Sequence, residues 1–256
     1  MPTTNHNSLF ETPQSCNAIN IDTGREANYQ ELRKNSEGDE WTQMMSDELG
    51  KCSQGNDAHP NSGTNTFFWI THDQVPADKK ATYARIVAED RPHKAVTKRI
   101  RLTVGGNRIE YSGDVSTKTS DLTTVKCILN SVVSTPNSEF CTADIKDFYL
   151  NTPMAEFEYM RIRVDDIPPD IMRRYNLDAK IHNGYVYVEI RKGMYGLPQA
   201  GRLANDRLVK FLAQHGYYQT PHMHGLFKHE SRPVTFSLVV DDFGIKYVGK
   251  ENAQHL

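Results

Sequence analysis

Two adjacent acids between two apolar runs constrain this chain more than any other feature of its sequence. Asp241 and Asp242 follow the apolar residues 236–240 and precede the apolar residues 243–247. Runs of aromatic and β-branched residues around a short polar pair are typical of a β-hairpin, so both acids are predicted to lie in its turn. Two carboxylates about 4 Å apart repel by about 4 kcal/mol at an effective dielectric of 20, and a divalent cation would relieve this. A plain solvent-exposed turn is the alternative, because Asp is a favoured turn residue.

A third acid, Asp144, lies at the end of another predicted strand, residues 140–144, before a bend marked by Asn151-Thr152-Pro153. Two strand ends that carry acids can converge. Carboxylates that meet in this way can hold two magnesium ions about 3.5 to 4 Å apart, as in-line phosphoryl displacement requires. Spacing alone leaves open that the three acids are unrelated.

The remaining pattern predicts an α+β fold, because strand and helix signals are mixed along the chain. Residues 1–37 are polar and predicted to be a disordered lead-in, and residues 38–256 are predicted to form the folded domain. Three helices are expected: residues 39–49, ended by Gly50; residues 121–133, capped by Ser116 or Ser120; and residues 198–215, ended by Gly216. Their apolar stripes are expected to face the core, namely Trp41, Met44, Met45 and Leu49; Leu122, Val125, Leu129 and Val132; and Leu203, Leu208, Phe211 and Leu212.

Charge and composition give a mixed indication of the partners. The net charge of −2 is unusual for a protein that binds nucleic acid, but residues 79–101 carry eight Lys and Arg against two acids. No run approaches the roughly 20 apolar residues of a membrane span, and the first residues have neither the basic start nor the apolar run of a secretory signal, so none is expected. An intracellular protein is expected. It would lie either in the cytoplasm, inside a virus-like particle, or in the nucleus, and the sequence does not distinguish these two locations. The four cysteines are widely spaced, as expected for reduced thiols.

Three ordered motifs resemble those of a known family, the reverse transcriptases of copia-type LTR retrotransposons. Residues 143–153 (ADIKDFYLNTP) are similar to its first palm motif, residues 193–201 (GMYGLPQAG) to its second, and residues 239–242 (VVDD) to its third. Residues 82–87 and 99–106 are similar to the strands of its fingers. The resemblance implies a right-hand polymerase fold with fingers at about 38–135, a palm of antiparallel sheet with packed helices at about 136–256, and no thumb.

The resemblance also implies roles for particular residues. Asp144 and Asp241 would bind two Mg²⁺ ions, with Mn²⁺ as a substitute, and Asp242 would be the supporting third acid. Tyr149 would select deoxynucleotides by excluding a 2′-hydroxyl, although a buried core aromatic is the alternative. The backbone of Asp147 and Phe148 would face the triphosphate.

Further positions would contact the nucleotide, the template or the primer. Gln199 would contact the incoming nucleotide, unless residues 197–199 only start a helix. Arg99 and Arg101 would grip the β- and γ-phosphates, unless they only form a solvated strand face. Gly201, Val239 and Val240 would lie against template and primer, with Val239 at a position where much of the family has an aromatic residue.

The expected function is that of an RNA-directed DNA polymerase fragment from a retrotransposon polyprotein. Its partners would be deoxynucleoside triphosphates and an RNA or DNA template with a primer, and no membrane is expected. The sequence ends at Leu256, fourteen residues after Asp242, before the family's thumb and ribonuclease H regions. The alternative is therefore a non-catalytic remnant that keeps the fold and some affinity for nucleic acid.

Overall fold

A computed structural model describes residues 18–256 of the chain, and the elements named here are those of this part. The twelve strands are β1 (Ala18–Asn20), β2 (Arg25–Ala27), β3 (Phe67–Ile70), β4 (Thr82–Asp90), β5 (Lys98–Val104), β6 (Ser138–Asp144), β7 (Pro153–Arg163), β8 (Tyr185–Lys192), β9 (Tyr217–Gln219), β10 (Leu226–His229), β11 (Val234–Val239) and β12 (Asp242–Val248). The six helices are α1 (Tyr29–Leu32), α2 (Gly38–Cys52), α3 (Leu122–Ser134), α4 (Pro169–Arg174), α5 (Ala200–Gln214) and α6 (Lys250–His255). The predicted mixture of helices and sheets is confirmed.

The chain divides into two compact units, each built from two separate segments. The first unit holds the described residues up to Tyr111 together with Pro153–Pro198, and the second holds Ser112–Thr152 together with Gln199–Leu256. This division differs from the linear one expected at about residue 135, because the chain passes from one unit to the other three times.

The start of the described chain is ordered, which corrects the expectation of a disordered lead-in for residues 18–37. β1 pairs with β2 as a small antiparallel hairpin. Ala18, Tyr29 and Leu32 are at most 2% exposed, and the Asn28 side chain caps α1 by accepting from the Glu31 amide. Burial of a few apolar side chains and one capping box therefore organise this polar segment. Residues 1–17 lie outside the described part.

Helix α2 confirms most of its predicted pattern. Trp41, Met45 and Leu49 are buried. Gly50, expected to end the helix, lies inside it, because α2 continues to Cys52 and is capped by Ser53. A Cβ at Gly50 would lie 2.8 Å from the Asn56 backbone, so close packing rather than a left-handed turn explains this glycine.

The first unit is built on a five-stranded sheet in the order β3-β8-β7-β4-β5. All its pairs are antiparallel except β4 with β7. On β5, Ile100, Leu102 and Val104 are buried while the residues between them are half-buried, because successive side chains of a strand point to opposite faces. Helix α4, between β7 and β8, was not predicted from the sequence.

The second unit is built on a separate antiparallel sheet in the order β6-β12-β11-β10-β9. Its core joins Ala204, Leu208 and Leu212 of α5 to the buried faces of β10, β11 and β12. Phe236 is fully buried there and stacks on Phe227 with ring centroids 5.1 Å apart. Phe211, predicted to be in the core, is 54% exposed, because the α5 face that contacts the sheet lies at residues 204, 208 and 212.

Helix α3 differs from its prediction in both its cap and its buried face. Asp121, rather than Ser116 or Ser120, is the N-cap, and its carboxylate accepts from the Thr124 amide at 2.7 Å. Thr124 and Ile128 are buried, whereas Leu122 is 67% exposed and Leu129 is 43% exposed. One contact of α3 with the sheet is polar: the Lys246 ammonium on β12 donates to the hydroxyls of Ser131 in this helix and of its C-cap residue Thr135. Polar contacts of this kind do not require the predicted apolar stripe.

Candidate functional site

The two adjacent acids lie at a tight hairpin between β11 and β12. Val239 pairs with Asp242, so the turn consists of Val240 and Asp241 alone. Asp242 is therefore the first residue of β12 and not a turn residue, which corrects part of the prediction. The hairpin holds one acid in the turn and one in the strand ladder.

Asp144 meets this hairpin from the neighbouring strand. It is the last residue of β6 and the direct register partner of Asp242, and the next amide, that of Ile145, donates to the Asp241 carbonyl at 3.2 Å. Directly opposed residues in an antiparallel pair share a face, with Cβ atoms roughly 4.5 to 5.5 Å apart. The convergence of the two strand ends, which spacing left open, is thus present in the structure.

The paired acids carry charges of the same sign without a basic partner in the described chain. Asp144 and Asp242 are exposed, and within residues 18–256 neither carboxylate forms an ion pair or a hydrogen bond. Like charges opposite each other across a strand pair are destabilising. Hydration, or a bound cation, is what lowers the energy of this arrangement.

The turn between the strands is strained at Val240. Its φ is +62°, and only this first turn residue has a positive φ, as in a type II′ hairpin turn. Glycine is preferred at that position, and a β-branched residue there is a conformational outlier. Val239 and Val240 are both 37% exposed, so the hairpin tip presents two apolar side chains next to the acids. Strain of this kind is concentrated at functional sites.

The segment after Asp144 folds into a compact turn. Asp147 has a φ of +55°, and its carbonyl accepts from the Asn151 amide at 3.0 Å. Phe148 is 9% exposed in the core of the second unit, so only its backbone is available for the contact that the resemblance implies. Tyr149 packs against Phe148 at 5.6 Å between ring centroids and is half-buried, which fits neither a fully buried core aromatic nor a free side chain.

Gln199 and Gly201 lie at the start of α5, in the same unit as the acids. Gln199 is the N-cap residue and is 3% exposed. A Cβ at Gly201 would be in ordinary van der Waals contact with the hydroxyls of Thr117 and Tyr149, at 3.6 and 3.8 Å. Crowding therefore does not require glycine at this position.

Arg99 and Arg101 belong to the first unit. They project from the same face of β5, as predicted, and this face carries its own acid on β4. Glu89 is the register partner of Arg99 and lies 3.9 Å from Arg101 as an ion pair. The Arg101 guanidinium also lies 5.7 Å from the centroid of the Tyr195 ring.

The Gly-rich segment that contains Tyr195 packs on the end of β5, which sequence reasoning missed. The Val104 amide donates to the Tyr195 carbonyl at 2.7 Å. A Cβ at Gly106 would lie 1.9 Å from the Gly196 carbonyl oxygen, and Gly196 itself has a φ of +92°. The sequence carries both glycine-rich segments, the Gly105-Gly106 pair and residues 193–196, but no local pattern shows that they meet.

The chemistry of the acids fits a hard divalent cation. Carboxylate oxygens are the ligands that Mg²⁺ and Mn²⁺ prefer. In residues 18–256, no three His, Cys, Asp or Glu side chains are already gathered into a metal-holding group. The carboxylates that could bind a cation are therefore those of the opposed pair Asp144 and Asp242, with Asp241 beside them. The resemblance, in contrast, implies Asp144 and Asp241 as the ligands.

A nucleophilic thiol is not part of this site. Burial, reinforced by the Glu139 carboxylate, raises the pKa of the Cys141 thiol on β6. A raised pKa keeps the sulfur protonated, and the thiolate is the reactive form. Cys52, Cys127 and Cys141 are all free cysteines.

Comparison with known proteins does not assign the chain to a family. The sequence matches no protein-family model, and no curated protein is significantly similar to it. Within residues 18–256, no helix is both long and apolar enough to cross a membrane, the longest having 15 residues.

Proposed function

We propose that the chain is the fingers and palm portion of a copia-type reverse transcriptase, an RNA-directed DNA polymerase that adds deoxynucleotides to a primer. The single observation that carries this proposal is the register of β6 with β12, which sets Asp144 opposite Asp242 beside the strained turn at Val240 and Asp241. The order of the three sequence motifs adds to it. In this proposal, the second unit contains the palm.

The proposed reaction is an in-line displacement at phosphorus. The 3′-hydroxyl oxygen of the primer forms a bond to the α-phosphorus of the incoming nucleotide, the bond to the bridging oxygen breaks, and pyrophosphate leaves with its electron pair while the hydroxyl proton is lost to solvent. Two Mg²⁺ ions held by Asp144, Asp241 and Asp242 would supply Lewis-acid activation of the hydroxyl and charge neutralisation at the leaving group. The protein's own part would be to hold Asp144 and Asp242 opposite each other on adjacent strands, with Asp241 next to them in the turn.

The nucleotide would lie over the turn of residues 147–152 and the start of α5. The half-buried ring of Tyr149 would limit the room for a 2′-hydroxyl, and Gln199 and the backbone of Asp147 and Phe148 would contact the rest of the nucleotide. The exposed side chains of Val239 and Val240 would contact the primer end, and Gly201 at the start of α5 would lie against the template. Arg99 and Arg101 would bind the β- and γ-phosphates in place of Glu89.

Primer extension on an RNA template with Mg²⁺ tests the proposal. The chain as given is compared with Asp144→Asn, with the double variant Asp241→Asn/Asp242→Asn, and with Glu230→Gln as a matched control. Glu230 is an exposed acid of the same unit outside the site. We expect incorporation by the unchanged chain and the control, and a loss of at least about a hundred-fold in the acid variants, since metal-assisted charge stabilisation contributes several kcal/mol.

Equal incorporation by all variants would rule out the metal assignment. The alternative of a non-catalytic remnant is an outcome of the same test. If the unchanged chain binds a primer–template duplex but incorporates nothing, even when extended by the downstream region of its gene, the remnant function replaces the polymerase. Absence of binding as well would contradict both functions.

A further inference from the structure

A small cavity lies between helix α5 and the turn that follows Asp144. Its volume is about 290 Å³, and all the residues that line it belong to the second unit. Its floor is formed by buried residues, namely Phe148, Thr152, Ala204 and Leu208. Ala204 has the shortest side chain among them, so the cavity occupies space that the core of the second unit leaves unfilled.

The floor of the cavity is apolar in character. The hydroxyl of Thr152 donates to the Phe148 carbonyl at 3.0 Å, so it is already paired. Ile145 adds a further hydrocarbon side chain to the wall. Small-molecule sites are lined mainly by apolar side chains, with a few polar groups that orient the ligand. The buried part of this cavity therefore suits a ring without hydrogen-bonding groups.

The mouth of the cavity carries an aromatic ring and a cation. Phe211 lines the cavity although it is 54% exposed, so a second ring has room to pack against it. Arg207 also lines the cavity and donates to the Asn151 carbonyl, which holds its guanidinium at the mouth. Within residues 18–256, Arg207 forms no ion pair, whereas Arg202 on the same helix is paired with Asp206 at 2.9 Å. A guanidinium has five N–H donors, so Arg207 can also bind an anion.

We propose that this cavity binds a small aromatic carboxylate, whose ring enters the apolar floor and whose carboxylate pairs with Arg207. The volume is close to the lower limit of the roughly 300 to 1,000 Å³ of small-molecule sites, which limits the ligand to one or two rings. A guanidinium matches the two oxygens of a carboxylate, and aromatic rings pack edge to face or offset on a ring such as Phe211. This inference goes beyond the proposed function and does not depend on it, because the ligand is neither nucleotide nor template.

Isothermal titration with 2-naphthoate and with its uncharged amide, 2-naphthamide, tests the ring and the charge separately. We expect saturable binding of naphthoate with a Kd of roughly 0.1 to 1 mM, the range of a ligand with about a dozen heavy atoms, and weaker binding of the amide. Arg207→Gln should weaken naphthoate binding at least roughly three-fold and leave that of the amide unchanged, because only a charged contact is lost. Phe211→Ala should weaken the binding of both roughly three- to ten-fold, because the ring contact is lost.

Lys210→Gln is the matched control, since Lys210 is an exposed cation of the same helix that does not line the cavity. We expect it to bind naphthoate as the unchanged chain does. An equal loss in Lys210→Gln and Arg207→Gln would show a general attraction to the charge of the helix and would overturn the site. The absence of saturable naphthoate binding would overturn it too, as would binding that both Arg207→Gln and Phe211→Ala leave unchanged.

The amide resonance of Ile145 locates the bound probe. Ile145 lines the cavity, and its amide donates to the Asp241 carbonyl at 3.2 Å. Naphthoate should shift this resonance and leave that of Leu102, in the core of the first unit, in place. A probe that binds and shifts Leu102 but not Ile145 would contradict the inference. These measurements need no polymerase activity, so a failure of primer extension leaves their outcome unaffected.

Discussion

The two five-stranded sheets differ in the charges that neighbouring strands place opposite each other. In the first unit, Arg99 and Arg101 on β5 face Glu89 on β4, so the sheet itself supplies the opposite charge. In the second unit, Asp144 on β6 faces Asp242 on β12, so the sheet opposes two charges of the same sign. Cross-strand pairs of opposite charge stabilise a sheet, and pairs of like charge destabilise it. The first arrangement can be explained by stability alone, whereas the second costs stability and is compatible with the proposed function, in which a cation would bind between the acids.

The two units differ in backbone strain as well as in charge. The turn after β11 places Val240 at a φ of +62°, although other positive-φ positions outside glycine are Asn, Asp or His. Those three residue types tolerate the left-handed region, and valine does not. Strain and charge repulsion thus occur together at one hairpin of the second unit.

The largest expected effect tests whether each sheet is held by its own core. Phe236→Ala should lower the free energy of unfolding by about 3 to 5 kcal/mol, because a fully buried ring that packs on Phe227 and Phe243 is removed. Urea titration gives the total, and hydrogen exchange gives its location. We expect faster exchange in β9 to β12 than in β3 to β5, and the reverse for Leu102→Ala. Equal acceleration in both sheets would show that the two cores act as one.

The strain at the acidic hairpin is tested by a pair of adjacent substitutions. Val240→Gly should raise the free energy of unfolding by about 1 kcal/mol, because glycine adopts a positive φ without steric cost. Val239→Gly, at the last residue of β11, should instead lower it, because glycine weakens a strand. Urea unfolding of both variants gives the signs. A loss of stability in Val240→Gly would contradict the explanation by strain.

The charge repulsion is tested in the absence and presence of Mg²⁺. With EDTA, Asp144→Asn should raise the free energy of unfolding by roughly 0.2 to 1 kcal/mol, because one member of a like-charged pair becomes neutral. With Mg²⁺, the unchanged chain should gain stability that rises with the logarithm of the Mg²⁺ concentration above its Kd, and Asp144→Asn should gain much less. Thermal unfolding with and without the ion measures both. A Mg²⁺-induced rise in Tm that is the same in both proteins would place the ion elsewhere.

The smallest change in stability is expected for the oppositely charged pairs of the first unit. Glu89→Gln removes the acid that faces Arg99 and Arg101, and it should lower the free energy of unfolding by no more than about 1 kcal/mol, since the Arg101 pair is partly exposed. The same variant should tighten the binding of inorganic triphosphate if the two arginines are freed for phosphate. Isothermal titration at low and high salt measures this, and unchanged binding would leave the arginines as a structural pair.

Local pattern was enough to predict much of the fold and part of the site. The three predicted helices all form close to their expected bounds, and α5 ends before Gly216 as expected. The hairpin around the acids also followed from the apolar runs and the turn chemistry. These features depend on residues close together in the chain, where steric preference and capping act directly.

Contacts between distant segments decided the features that were predicted wrongly. Leu122 and Leu129 read as a core stripe on α3, but Thr124 and Ile128 are buried instead, because the strand face beside α3 carries Lys246. The local excess of basic residues in 79–101 is reduced by acids from elsewhere, since Lys98 pairs with Glu37 at 2.9 Å and with Glu40 at 2.6 Å. A pattern within one segment cannot reveal which surface another segment presents to it.

The three acids Asp144, Asp241 and Asp242 show which features followed from the sequence and which from the tertiary structure. The sequence by itself determined that Asp241 and Asp242 lie at a hairpin and that Asp144 ends a strand, because hydrophobic runs and turn residues are local information. Only the tertiary structure decided that β6 pairs with β12 in the register that opposes Asp144 to Asp242, and that Val240 takes the strained position in the turn. The physical reason is that strand order, register and loop placement are selected by the burial of whole sheet faces, to which distant parts of the chain contribute together.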